Sequence, residues 1–251
     1  MSKHILFAVV ISLLGLTMSV KLCGQNTAAE PGSQQNAVNN ALHLFYASIG
    51  DQSSLYNGPE YNGYDPKING TAYFSDVSTF TSGTVDYDGA VYRGVFMLYD
   101  LYADKIAVLL YNHFTQFSLV PEKVKSFDFL GHHFIYLNAD SITNNPGIKS
   151  GYYDQLYAVK TMVLVRREKE IQTNTGGIMN SPQSYFESKV AYFVRKNNAF
   201  YSFSGQGGLL DIFKDRKKEL QQYIRINKLK FRQDPEGVMV KITSYYDQLT
   251  K

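Results

Sequence analysis

Between Lys105 and Asn138, four apolar, aromatic-rich segments follow one another almost without pause: "KIAVLLYN", "FTQFSLV", "KVKSFDFL" and "HHFIYLN". His113, Pro121-Glu122 and Gly131 are all that separate them, and "LYAD" precedes the first. A parallel crossover needs a dozen or more residues, so connections this short permit only antiparallel neighbours. The chain holds 20 tyrosines and 16 phenylalanines, residue types that suit a pleated, half-buried surface.

The same logic extends in both directions. "GTVDYDGAVYRGVFMLYD" reads as a hairpin with Asp88-Gly89 in a two-residue turn, and "YFESKVAYFVRKNNAFYSFSG" as a second hairpin about Asn197-Asn198. "LYAVKTMVLVRREKEIQT" supplies one or two further strands after the turn-rich stretch around Pro146 and Gly147. The sum is eight to ten strands in an antiparallel, meander-rich sheet, enough to curl into a barrel or a sandwich.

The period then changes from two to 3.6. Leu210, Phe213, Lys217, Leu220, Tyr223 and Ile224 form one helical stripe; Val238, Ile242, Tyr245, Tyr246 and Leu249 form another, introduced by Asp234-Pro235 as N-cap and first turn. Near the other end, Val38, Leu42, Phe45 and Ile49 are spaced for a short amphipathic helix. The expected fold class is α+β, with one N-terminal and two C-terminal helices on the sheet.

The first residues bear on location. Lys3 is followed by the apolar run Ile5 to Val20, shorter than the roughly 20 residues a spanning helix needs. Small and polar residues follow, the order of a secretory signal peptide cleaved after Gly24. The expected organisation is signal peptide 1–24, flexible lead-in 25–35 and a single domain 36–251. No later segment is apolar enough to span a bilayer as a helix. Cys23 is the single cysteine; it would carry a lipid anchor only if cleavage preceded it, and Lys21-Leu22 fit such a site poorly. Cleavage after Gly24 removes Cys23, and with it disulfide, thiol and cysteine–metal chemistry. Loss of Lys3 and Lys21 lowers the formal charge from +3 to +1, which leaves no electrostatic footprint for nucleic acid.

The motifs that could carry chemistry each have a plainer reading. Asp86-Tyr87-Asp88-Gly89 opens like a calcium loop, but its fifth and twelfth positions are Ala90 and Met97, so turn chemistry explains it. Gly205-Gln206-Gly207-Gly208 lies between a strand and a helix, yet Leu210 stands where a third glycine belongs and no lysine of a phosphate loop follows; a glycine-rich connection into the helix is expected. No cofactor pattern is present. His132 and His133 are adjacent and point to opposite faces of a strand, so only His132 with His113 could share a metal or act beside a carboxylate. No G-x-S-x-G or S-x-x-K occurs.

The remaining candidate is the loop "SLYNGPEYNGYDPKINGTAYF", where Tyr56, Tyr61, Tyr64 and Tyr73 alternate with glycine turns. Such residues supply adaptable contact area with hydrogen-bonding tips, or else strap a loop onto the sheet. The absence of tryptophan argues against a sugar-stacking site.

"LYNGPEYNGYDP", "GTVDYDGAVYRGVFMLYDLYADKIAV", "FDFLGHHFIYL", "GYYDQLYAVKTMVLVRREKEIQ" and "FKDRKKELQQYIRINKLKFRQDPEGVMVKITSYYDQL" resemble uncharacterised exported proteins of Bacteroidota, over about residues 54–250. The resemblance implies a Gram-negative envelope setting: periplasm, outer-membrane face or exterior. It assigns no active-site residue. The functional expectation is a non-enzymatic envelope protein that binds or supports another envelope protein or a glycolipid. The alternatives are a periplasmic hydrolase or metal-dependent enzyme using His113 or His132, and a lipid carrier with an apolar cavity in a curled sheet.

Overall fold

The computed structural model describes residues 55–110, 112–143, 145–175 and 182–250. The expected signal peptide, lead-in, N-terminal helix and Cys23 lie outside the described residues. Within them the fold is α+β, with a ten-stranded antiparallel sheet. The strands are β1 (Thr81–Tyr87), β2 (Ala90–Asp100), β3 (Lys105–Leu109), β4 (Gln116–Ser118), β5 (Val124–Phe129), β6 (His132–Leu137), β7 (Gly151–Ala158), β8 (Met162–Asn174), β9 (Gln183–Lys196) and β10 (Ala199–Phe203). Three helices follow: α1 (Gly205–Ile212), α2 (Lys217–Ile226) and α3 (Pro235–Leu249). None is long and apolar enough to cross a membrane.

The tight turns form where the sequence places them. Asp88 and Gly89 both adopt positive φ, as do Asn197 and Asn198, the geometry a two-residue hairpin turn requires. The meander is broken once. Sheet order runs β10-β9-β8-β7-β6-β5-β1-β2-β3-β4, so β5 returns to pair with β1 and not with β4. A helical turn at Pro121–Lys123 makes the return, and the Asp88 N–H bonds the Lys123 carbonyl at 2.8 Å to hold β5 beside the first hairpin.

The sheet is not closed into a barrel, but it curls far enough for its distant strands to meet. β8 continues past the point where its ladder with β7 ends at Val165↔Asp154. There the Lys169 N–H finds the carbonyl of Leu101, in the β2–β3 turn, at 3.1 Å. Gly151 makes the approach possible: at φ +143, a Cβ there would lie 2.1 Å from a carboxylate oxygen of Asp104.

Residues 59–73 bridge the sheet. The Ser118 N–H on edge strand β4 donates to Pro59, and Tyr61 N–H to Gln116, while Asn69 bonds Ser184 and Phe186 on β9 and Tyr73 bridges to Asp100 on β2. The long tyrosine-rich segment is therefore an ordered strap.

The inner face of the curl is filled by rings. Phe127 stacks on Phe134 with centroids 4.6 Å apart, and Tyr99 and Tyr152 pack edge-on against Phe127 at 5.1 and 5.2 Å. Val85, Met97, Ile106, Val108 and Phe129 are among the other members of this cluster. A second cluster joins β8 and β9 to the helices through Val163, Val165, Val194, Phe213, Leu220 and Ile242. The first stripe read from sequence belongs to two helices, not one. Phe213 leaves helical geometry at φ −97, ψ 33 and a short 3-10 turn follows, which lets Phe213 and Leu220 both face the sheet. The glycines 205, 207 and 208 are drawn into α1 and do not form a loop, and Gly208 lets the helix start pack where a Cβ would meet that of Phe203 at 3.1 Å.

Candidate functional site

Three of the four strap tyrosines converge on one buried carboxylate. Tyr61 and Tyr64 donate to Asp100 Oδ2 at 2.8 and 2.6 Å, and Tyr73 lies 3.5 Å from the Tyr61 hydroxyl. The other oxygen accepts the Tyr102 and Ala103 N–H groups, both at 2.9 Å. Asp100 is thus a turn residue, as its sequence context suggests, and also the anchor of the strap. Burial and the neighbouring Asp100 carboxylate raise the pKa of both Tyr61 and Tyr64 above the ordinary phenol value. Tyr56 is elsewhere, tilted against Phe117 near the β4 edge at 6.3 Å.

The anchored strap builds an aromatic patch. Tyr64 packs edge-on against Tyr102 at 5.4 Å and against Phe186 at 5.3 Å, and Tyr102 meets Phe186 at 5.9 Å. Tyr102 keeps 45% of its surface exposed. The sequence points to Tyr64 but not to its partners Tyr102 and Phe186, because the three rings come from segments far apart in the chain. The one local signal is the repeat of tyrosine on either side of Asp100 in "LYDLYAD".

Beside the patch lies a cleft of about 200 Å3 lined by Phe74, Asp76, Leu101, Arg167, Lys169 and Val190, among others. Its charges are neutralised within the wall. Lys169, almost fully buried, donates to the Thr71 carbonyl at 2.7 Å and to Asp76 at 2.5 Å. This pair holds Ser75 and Asp76 in consecutive left-handed conformations, φ 53 and 56. Arg167 donates to Asp154 at 2.6 Å and to Glu236 at 2.8 Å, and its guanidinium lies over the Phe74 ring at 5.7 Å. Burial alone would lower the Arg167 pKa; its bonds to Glu236 and Asp154 outweigh that and raise it. On the far side of β8, Arg166 bonds Asp104 at 2.9 Å. Burial raises the Asp104 pKa, opposed by the Arg166 charge.

His132 sits next to this network. Its Nδ1 is 2.8 Å from Asp154 Oδ2, so the carboxylate accepts and Nδ1 carries the proton. Its ring meets Phe74 edge-on at 5.0 Å. His133 turns instead to Asp128 at 2.6 Å. His113 lies exposed in the β3–β4 turn against Phe96, and among the described residues it shares no ring or polar partner with His132, so the structure does not bring the two candidate ligands together. Among the described residues no three His, Cys, Asp or Glu side chains are grouped to hold a metal ion. What the rim offers is a rigid, aromatic, charge-balanced surface.

No protein family, curated protein or solved structure matches the chain.

Proposed function

We propose that the chain is a non-enzymatic, exported envelope protein that binds a polypeptide partner at the rim where the strap, the β2–β3 turn and β9 meet. The observation that carries this reading is the patch of Tyr64, Tyr102 and Phe186, exposed at Tyr102 yet pinned from beneath by Asp100. Aromatic side chains already held in place contribute contact area with little ordering cost on binding. Export rests on the pattern of residues 1–24. A polypeptide suits the rim better than a lipid chain, which needs an apolar cavity, whereas the inner face of the curl is packed with rings.

The test is a photo-crosslinking amino acid placed at Tyr102, compared with one at exposed Ile226 on α2, in the cells that produce the protein. A polypeptide crosslinked from Tyr102 alone, and lost when Asp100 is also replaced by alanine, supports the reading. Identical products from both positions, or a lipid-linked sugar from Tyr102, overturns it.

A second reading, a hydrolase, has one observation in its favour: His132 is held by the Asp154 carboxylate at 2.8 Å, as a general base would be oriented. It predicts ester, peptide or glycoside hydrolysis that vanishes in His132→Ala; a broad substrate panel showing no turnover removes it.

A further inference from the structure

β9 is a 14-residue strand, and β10 covers only Tyr192 to Lys196 of its outer edge. At the other end Asn69 of the strap docks on the same edge, donating to Ser184 at 2.9 Å and accepting from Phe186 at 3.0 Å. Between these two docked segments Glu187 to Ala191 is exposed. Backbone direction alternates along a strand. Ser184 and Phe186 turn their polar groups outward to Asn69, so Ser188 and Val190 turn theirs outward as well. No other backbone group bonds these positions from that side among the described residues. Two of the usual protections of an edge are missing: the stretch has no proline, and the β8–β9 register runs without a bulge from Met162↔Arg195 to Asn174↔Gln183. Lys189 is drawn away to Glu170 on β8, at 2.5 Å.

The two faces of this edge differ in chemistry. On one, Glu187 stands directly opposite Glu170; Lys189, on the same face, is bonded to Glu170, and no lysine, arginine or histidine reaches Glu187 within ion-pair distance among the described residues. On the other, Val190 is 48% exposed and borders the cleft of Phe74 and Leu101.

We propose that the edge from Glu187 to Ala191 accepts an extended segment of the polypeptide partner as an added strand, with main-chain bonds to Ser188 and Val190. The segment carries a basic side chain over Glu187 and apolar side chains on the Val190 face. Strand addition of this kind takes affinity from main-chain bonds and selectivity from alternate side chains. The inference rests on the binding reading above and adds the mode and the chemistry of the partner.

The probe is a capped synthetic heptapeptide, Ser-Thr-Val-Lys-Val-Thr-Ser, and its counterpart with Glu in place of Lys, titrated against the protein covering residues 25–251. The lysine peptide binds the wild type; the glutamate peptide binds at least about tenfold more weakly, the effect of roughly one charge-assisted contact. Val190→Pro deletes an outward N–H without touching the β8 ladder and weakens the lysine peptide about tenfold or more, with the melting temperature showing that the fold survives. Glu187→Lys, an exposed change, reverses the preference between the two peptides. Three results overturn the proposal: neither peptide binds at millimolar concentration; both bind regardless of Val190→Pro and Glu187→Lys; or the protein alone sediments as a dimer that Val190→Pro dissociates, which assigns the edge to a second copy. If Tyr102→Ala weakens the peptide while Val190→Pro does not, strand addition fails and the aromatic binding surface stands.

Discussion

The hydroxyl of Tyr64 donates to the buried carboxylate of Asp100 at 2.6 Å, across 36 residues of chain. With the 2.8 Å bond from Tyr61 and two backbone N–H groups of the β2–β3 turn, it makes Asp100 the point at which strap, turn and sheet are locked together. Asp100→Ala leaves two phenols and two N–H groups without their acceptor. Its expected cost is about 3 kcal/mol or more. Asp100→Asn keeps the shape and costs less. Chemical denaturation reads both, and limited proteolysis between residues 61 and 69 shows whether the strap is what comes loose.

Asp154 is the second such node, almost fully buried and touched by His132 and Arg167, with Glu236 holding Arg167 from the start of α3. Asp154→Ala strands a mostly buried guanidinium and is expected to cost about 3 kcal/mol. Glu236→Gln removes the half-exposed partner and costs about 1 kcal/mol or less. In the double variant the two losses do not add, because both act through Arg167. Additive losses in a double-mutant cycle would show the network to be separate pairs.

Gly151 and Gly131 separate backbone conformation from close approach. Both have positive φ, but a Cβ at Gly131 meets nothing within 4 Å among the described residues, while at Gly151 it lies 2.1 Å from Asp104 and 2.5 Å from Arg166. Gly131→Ala is expected to cost about 1 kcal/mol, the conformational part alone. Gly151→Ala adds displacement of a buried ion pair and costs about 3 kcal/mol or more. Equal melting temperatures for the two variants would refute the closure of β7, β8 and the β2–β3 turn around Gly151.

The Tyr152 hydroxyl is buried and meets no hydrogen-bond partner among the described residues, although its ring packs against Phe127, Tyr99 and Tyr136. A buried polar atom without a partner costs free energy that a ring of the same shape avoids. Tyr152→Phe is therefore expected to leave stability unchanged or raise it by about 1 kcal/mol. A loss of 1 kcal/mol or more, about the worth of one made hydrogen bond, would show that the hydroxyl has a partner.

Alkali should unfold this protein through its tyrosines. Burial, the first cause in each case, raises the folded-state pKa of Tyr61, Tyr64 and Tyr152 above 10.0, the value they have when unfolded. A raised folded pKa gives stability that is full below the unfolded value and is lost as pH climbs above it. Each such phenol then removes about 1.4 kcal/mol per pH unit above pH 10, since the unfolded chain has released protons the folded one retains. The tyrosinate absorbance of these residues should rise together with loss of the fold. A gradual rise near pH 10 with the fold intact would show them open to solvent.

Local geometry is legible in the residues themselves. Most of the short separators give antiparallel hairpins (Pro121-Glu122 is the exception, where β5 leaves β4 for β1), Asp88-Gly89 and Asn197-Asn198 supply the positive φ their turns need, and apolar spacing at 3.6 marks the C-terminal helices. These are interactions among residues near one another in the chain, where period and turn chemistry decide the outcome. Long-range packing decided that β5 pairs with β1, that Leu101 reaches Lys169, and that Tyr64, Tyr102 and Phe186 share a surface. It also decided which strand edge stays open. The "AFYSF" strand ends where Gly205 to Gly208 enter a helix, so β10 stops short and β9 outruns it. Contacts across tens of residues depend on how elements stack and how far one strand exceeds its neighbour, and no local period carries that information.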